Sequence, residues 1–498
     1  MTNHLILAID QGTGSTKGVV FNHQLHVVAA HAEPIDIESP QPGWVQQDAN
    51  QIWQTVRICI DELAAKVKAD PDAGQVSAVA ITNQRESALA WSLETGEPLG
   101  PMLGWQDRRT AGRLNDFADA EKAKIEDLTG LPLDPMFSAL KFEWLLDQLD
   151  ADRSLARSGK IALGTVDSWL VFKLTGEHRV EIGNASRTQL LDISTGDWSE
   201  ELLDLFNIPA AALPRVAASD EPTQNIKISQ LGAEANLAVS AILADSHSAL
   251  FAHSCQSIRN GNGSNSIKAT FGTGSSIMAL TASAKPVQGL VRTVAWSTGD
   301  NIELALEGNI LSSGSTVVWL GKLLGKSPDQ LAELAAAYGS KLGEVNLVPA
   351  FGGLGAPWWD SNAEAIISGL TLGVDQADLA RAAFESITLQ IEDVVAAAEQ
   401  ANGSLIAELN VDGGPTTNDW LMQLQANISG RKIVRNEIAE LSAAGVASFA
   451  GWRSGLWPTA AISKTQIFEA QISADRVRAR KDSWQKALNK SRMQRSNI

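Results

Sequence analysis

Five apolar residues, Leu5-Ile6-Leu7-Ala8-Ile9, run without interruption into the polar stretch Asp10-Gln11-Gly12-Thr13-Gly14-Ser15-Thr16-Lys17. An apolar run bounded by a glycine- and hydroxyl-rich segment reads as a buried strand ending in a turn. Further strands are predicted at 18–21, 26–31 and 76–81, with a helical pattern at 51–69 between the third and the last. Strands first and a crossover helix next is the order of a mixed sheet with helices packed on it, an α/β fold. The second half repeats the order, with strand patterns through 266–280 and at 302–306 followed by an amphipathic helix at 313–324. The architecture is duplicated rather than the sequence. Helices are also predicted at 107–120 and 138–149, the latter carrying Phe142, Trp144, Leu145 and Leu146 as its apolar stripe.

A chain of 498 residues exceeds one typical core and fits two large domains. The boundary is placed at 248–262, where an apolar segment gives way to the polar glycine cluster 260–265, which assigns 1–250 to an N-terminal domain and 251–460 to a C-terminal one. Residues 461–498 form a basic extension with a helical pattern at 476–495, where eight Lys/Arg face the single acid Asp482, and a solvated helix face is expected there. Apolar residues at 44% and charged residues at 19% describe an ordinary globular chain. A net charge of −17 argues against nucleic acid as a partner, because a phosphate backbone needs a basic footprint. Cys59 and Cys255 are too few for a disulfide framework and are expected to be buried thiols. The first residues lack a secretory pattern and no stretch reads as a membrane span, so a cytoplasmic protein is expected.

The first turn is suited to phosphate. Backbone N–H groups can converge on an anion where glycine permits unusual dihedrals; Thr13, Ser15 and Thr16 add hydroxyls and Lys17 adds charge. Asp10, at the carboxyl end of its strand, is placed to hold a metal-bound water against the same phosphates. A second such turn follows at Phe271-Gly272-Thr273-Gly274-Ser275-Ser276. Neither a dinucleotide fingerprint nor a Gly-x-x-x-x-Gly-Lys-Ser/Thr loop is present. Two phosphate turns in two halves predict a nucleotide clamped between two domains.

Longer motifs carry a family resemblance. Met136-x-Ser138-x-x-Lys141-Phe142-x-Trp144-Leu145-x-Asp147-Gln148 resembles the first signature of the FGGY carbohydrate kinases, and the segment from Ala365 through Leu370 to Asp378 and Glu385 resembles the second. Thr82–Glu86, Trp105–Arg109, Asn184–Thr188 and Pro349–Trp358 resemble the glycerol kinase branch. The resemblance implies two ribonuclease H-like domains of the actin and hexokinase type with a nucleotide cleft between them. It also implies ATP and Mg²⁺ as cofactors, a small polyol or sugar as acceptor, and a homo-oligomer, dimer or tetramer. It makes Asp245 the catalytic aspartate and general base, although an aspartate there also reads as a helix N-cap ahead of 249–252. Asp10 would organise Mg²⁺ through water, with Asp245 a second candidate for the metal. Thr13, Gly14 and Lys17 would meet phosphates on one side and Thr273 and Gly274 on the other, while Gly414 and Asn418 would receive the adenine. Arg85 and Glu86 pair a donor with an acceptor for adjacent hydroxyls, and Trp105 offers an apolar wall.

The branch pattern is broken where the acceptor pocket is expected. Met136 replaces a tyrosine, Ser246 a glutamine and Ser276 a phenylalanine, changes that enlarge the pocket and remove a hydroxyl donor. Glycerol is the first expectation, and a four- or five-carbon polyol or ketose is its competitor. A nucleotide-switched binding protein on the same fold is the alternative from another class. The segment Gly232–Asn236 lacks the Gly-Gly-x-Arg pattern of fructose 1,6-bisphosphate control, and no such control is expected.

Overall fold

In the computed structural model the described residues are 4–70, 72–226, 237–259, 266–283, 286–299, 301–337, 343–438, 440–457 and 465–492. They fall into two units, one of residues 1–259, 292–305 and 438–462, the other of 260–291, 306–437 and 463–498.

The first unit is built on β1 (His4–Gln11), β2 (Ser15–Phe21), β3 (Val27–Pro34), β4 (Gln75–Asn83) and β5 (Val239–Ala244), in the spatial order β5-β4-β1-β2-β3. The tight Gly12–Gly14 turn forces β1 and β2 antiparallel, whereas α1 (Ala49–Ala69) carries the chain over the sheet so that β4 returns parallel to β1. β5 adds on parallel to β4. Asp48 caps α1 by accepting from Asn50 N at 2.8 Å, and its Ile52, Val56, Ile60 and Leu63 are buried with Leu5, Leu7, Ile9, Val79 and Ile81 of the sheet. Each such side chain contributes about 1.5–3 kcal/mol on burial. Between β4 and β5 the chain forms a further layer that includes α2 (Ser138–Leu149), whose Leu140, Phe142, Leu145 and Leu146 join Leu103, Phe117 and Ile125 in a separate core. After β5, α3 (Asp245–Arg259) begins at once.

Two expectations are corrected here. Residues 107–120 are not one helix but a turn followed by the short 3₁₀ segment Ala111–Asp116 and then the helix Asp119–Thr129. Asp107, fully buried, accepts from Val45 N at 2.6 Å and from the backbone and guanidinium of Arg109, and so fixes a turn where a helix was expected to start. The division at 250 is also incomplete, because residues 438–457 return to the first unit. The helix Leu441–Arg453 packs there so closely that a Cβ on Gly445 would lie 2.1 Å from the Ser248 carbonyl, and Trp457 donates to His4 O at 2.9 Å.

The second unit repeats the connectivity. β6 (Ile267–Phe271) turns through Gly272–Gly274 into antiparallel β7 (Ser275–Thr281); β8 (Glu408–Asp412) pairs parallel with β6, and β9 (Lys432–Asn436) parallel with β8. β10 (Thr465–Phe468) closes this edge antiparallel to β9. Helices α4 (Gly314–Leu324), α5 (Gln376–Asn402) and α6 (Asp419–Ser429) bury Leu320, Phe384, Ile387 and Leu421 with Ile267, Ala269 and Val411. The basic segment is helical, as α7 (Ala474–Arg492), with Arg476, Arg478, Lys486 and Lys490 on an exposed face as expected, but it is not a separate extension. Its Trp484, Ala487 and Leu488 enter the same core and Arg480 is buried against Glu385, because the basic positions lie around an apolar stripe. The cluster 260–265 lies outside the described residues. Cys59 and Cys255 are buried cysteines, and no described helix is long and apolar enough to cross a membrane.

Candidate active site

Three parallel strands, β1, β4 and β5, end on one edge of the first sheet. Register places Asp10 opposite Thr82, Gln11 opposite Asn83, and Ala244 opposite Asn83, so Asp10, the loop Gln84-Arg85-Glu86 and Asp245 emerge side by side. The carboxyl ends of parallel strands are where open α/β sheets bind ligands. Asp245 is the first residue of α3, with its Oδ1 accepting from Ser246 N at 2.5 Å and its side chain still 40% exposed. It therefore serves the helix start while offering a carboxylate to solvent. Arg85 Nε lies 3.5 Å from Asp245 Oδ1 and 3.8 Å from Glu86 Oε1, and Arg187 Nε donates to the buried Glu86 at 2.6 Å. Glu86 adopts φ 56°, a left-handed conformation rare for a non-glycine residue and one its surroundings must impose.

The glycine turn is held from several directions. Gly12 N donates to Ser15 O at 3.0 Å, Gln47 Nε2 to Thr13 O at 2.7 Å, and Trp105 Nε1 to Thr13 Oγ1 at 3.1 Å. Thr13 in turn donates to Gln84 Oε1 at 3.3 Å, tying the turn to the Arg85-Glu86 loop. Met136 is half-buried, its backbone N–H donating to Asp134 at 2.8 Å. Lys17 meets Glu440, at 2.9 and 3.1 Å from its two carboxylate oxygens.

Around Asp10 the carboxylates of Asp245 and Glu440 stand against the single ammonium of Lys17. Burial first, then the nearby Asp245 and Glu440, push the Asp10 carboxyl from its ordinary 3.8 up to about 7, and Lys17 only partly offsets them. A carboxylate that its neighbours discourage from ionising is one that a divalent cation would stabilise. Among the described residues no group of three or more His, Cys, Asp or Glu is placed to hold a metal directly. Contact through bound water fits these side chains better than a complete protein cage, and Mg²⁺ characteristically retains waters.

The second unit's turn has its own supports. Ser313 N and Ser315 N donate to Thr273 O at 3.0 Å and Gly314 N to Gly272 O at 2.9 Å, so the start of α4 fixes Thr273 and Gly274. A Cβ on Gly274 would stand 2.5 Å from Ile310 O. Gly413, at φ +98°, lies against Phe271, where a Cβ would fall 2.1 Å from the carbonyl, and it is followed by Gly414 at the head of a 3₁₀ turn. Asn418 caps α6 by accepting from Leu421 N at 3.1 Å, which engages its carbonyl oxygen and leaves its amide group for any further contact. Ser276 Oγ donates to the buried Glu307 at 3.4 Å. Gly232–Asn236 lie outside the described residues.

Each unit thus carries a mixed sheet with a glycine turn after its leading strand, and the first also carries an acid at that strand's end. Residues 5–252 match the model of the FGGY family of carbohydrate kinases, N-terminal domain, and residues 267–454 match that of its C-terminal domain. The chain is 40% identical over 505 aligned residues to a glycerol kinase of Burkholderia ambifaria, covering 98% of each, and 39% identical to one of Chromobacterium violaceum, covering 99% of each. The solved glycerol kinase of Plasmodium falciparum with ADP superposes with a TM-score of 0.91 at 27% identity over 99% of both chains. A ligand-bound xylulose kinase of Lactobacillus acidophilus, at 22% identity, shares the fold with a TM-score of 0.83 over 98% of this chain and 97% of its own. The chain belongs to the FGGY family of carbohydrate kinases and is an enzyme of that kind.

The structure thus gathers Asp10, Thr13, Arg85, Glu86, Trp105 and Asp245 in one unit, and Thr273, Gly274 and Gly414 in the other. Sequence reading missed Arg187, Glu440 and the amides Gln11, Gln47 and Gln84. Arg187 lay within a motif already noted, Asn184–Thr188, but nothing in the sequence pairs it with Glu86.

Proposed function

We propose that this enzyme transfers the terminal phosphoryl group of ATP to a hydroxyl of a small polyol, with glycerol the first acceptor to test. The observation that carries the reading is the shared edge of Asp10, Arg85-Glu86 and Asp245, on a chain 40% identical to glycerol kinases. Phosphoryl transfer needs positioning and charge neutralisation more than covalent help. Asp245 orients the acceptor hydroxyl and takes its proton as the new bond forms. Arg85 and Glu86 hold adjacent hydroxyls, with Met136 and Ser246 around the carbon chain and Trp105 as its wall. Thr13, Gly14, Lys17, Thr273 and Gly274 are the phosphate-binding candidates, and Gly414 and Asn418 those for the adenine. Mg²⁺, when bound, supplies charge neutralisation to the transferring phosphate, with Asp10 as its water-mediated holder and Asp245 as a second. Lys17 exchanges Glu440 for phosphate when the nucleotide enters.

A larger acceptor is the second reading. Met136 has no hydroxyl, Ser246 is short, and Ser276 with Glu307 presents a polar pair where the branch has an aromatic wall. ADP release measured across glycerol, erythritol, ribitol, xylulose and gluconate separates the two readings. The expected result is acceptor-dependent ADP release that is highest with glycerol; a maximum at a four- or five-carbon compound selects the second reading. Equal release with and without every acceptor would remove the transfer function and leave a nucleotide-switched binding protein.

A pH dependence follows from Asp10. A proton and a cation compete for its carboxylate, and the protonated form prevails below about 7. At fixed free Mg²⁺, kcat/KM for the nucleotide should fall as pH drops from 8 to 6, and Asp10→Asn should have lower activity without that limb. A wild-type profile flat across this range would contradict the role given to Asp10.

A further inference from the structure

Lys141 of α2 is fully buried, and its ammonium donates to three backbone carbonyls, those of Glu86, Gly104 and Met136, each at 2.7 Å. An ammonium has three N–H donors, so the count of partners matches its capacity. The three carbonyls belong to three loops far apart in sequence, and each loop carries an acceptor candidate: Arg85 and Glu86 on the first, Trp105 next to Gly104 on the second, and Met136 on the third. We propose that Lys141 is a positioning residue that clamps these three loops together and so sets the width of the acceptor site.

The inference rests on the acceptor assignment above but uses a residue that touches no substrate. A buried ammonium held by carbonyls alone is expensive, and burial without a direct carboxylate partner is tolerated where the charge is fully hydrogen-bonded. A neutral side chain of the same length would take the ammonium donor from all three carbonyls, leaving Gly104 O only its bond from Asp107 N at 3.2 Å. The Glu86 loop is the most sensitive of the three, since its φ of 56° must be imposed from outside.

The clamp is also poised to respond to pH. Burial pulls the Lys141 ammonium down from 10.5 to about 7, Glu86, Asp107 and Asp134 draw it back up, and Arg109 pushes it further down. Glu86 is itself paired with Arg187 and faced by Arg85, and Asp107 with Arg109, so these carboxylates only partly support the ammonium. Above about 7 the amine retains two N–H donors for three carbonyls, and one loop loses its tether.

The test compares wild type and Lys141→Met, both checked for folding by circular dichroism, with glycerol as acceptor. The acceptor KM should rise at least tenfold in the variant while the KM for ATP stays within twofold. The wild-type acceptor KM should climb between pH 7 and 9, and the variant's should stay flat. Equal changes in both KM values, or a wild-type acceptor KM constant from pH 6 to 9, overturn the proposal. Hydrogen exchange decides it without any acceptor and so separates it from the assignment of function. Exchange at 84–88, 103–107 and 134–138 should increase together in wild type on going from pH 6.5 to 8.5, after correction for intrinsic rates; no concerted increase overturns the clamp.

Discussion

Replacing Asp245 with asparagine should lower turnover by about 10²–10⁴-fold, the range a positioned general base supplies, while nucleotide affinity stays close to that of the wild type. Asparagine keeps the shape of the side chain and an oxygen that can accept from Ser246 N, so the start of α3 survives. It cannot take a proton from an alcohol. The Asp245 carboxylate is 40% exposed and 3.5 Å from Arg85, so a substrate hydroxyl could reach it. Steady-state ADP release and a nucleotide titration by intrinsic fluorescence read the two quantities separately. A variant that retained most of its turnover would remove Asp245 from the chemistry, and one that lost nucleotide binding in parallel would make its role structural.

Glu385→Gln should destabilise the second unit by about 3–5 kcal/mol, the loss usual when a buried ion pair is broken from one side. Glu385 is fully buried between two arginines: Arg381 Nε donates to its Oε1 at 2.7 Å and Arg480 Nε to its Oε2 at 2.6 Å. Gly343 N adds a further donor at 2.9 Å, and Arg480 is also bonded to Asn346. Glutamine removes the charge that both guanidinium groups share and turns one acceptor into a donor facing them. At about 2–4 °C per kcal/mol for a domain of 150–250 residues, the melting temperature should fall by about 6–20 °C. A shift below about 2 °C in a calorimetric scan would mean that packing of Trp484 and Leu488, rather than this network, anchors α7.

The strands and glycine turns were legible in the sequence because uninterrupted apolar runs and positions that need glycine are local signals. Leu5–Ile9 and the Gly12–Gly14 turn could be read from the local order of residues alone, and so could Asp10 at the strand's end. The acceptor side became legible through longer motifs, since Arg85, Glu86 and Asp245 are separated by about 160 residues and only the parallel register of β1, β4 and β5 brings them together. The return of residues 438–457 to the first unit could not be read, because apolar helices such as Leu441–Arg453 carry no mark of the sheet they will cover. The same holds for α7, whose charge hides an apolar stripe, and for Lys141, whose partners are backbone atoms that leave no trace in residue identity. Asp107 shows a further limit: its buried carboxylate builds a turn from residues with helical propensity.

A crystal structure of the enzyme with Mg²⁺, a non-hydrolysable ATP analogue and glycerol would examine the proposed chemistry at its centre. The expected density shows the terminal phosphate against Thr13, Gly14 and Lys17, water between Mg²⁺ and Asp10, and a glycerol hydroxyl within about 3 Å of an Asp245 oxygen. Phosphates bound away from Asp10 and Asp245, or glycerol held without contact to Arg85, Glu86 or Asp245, would contradict it.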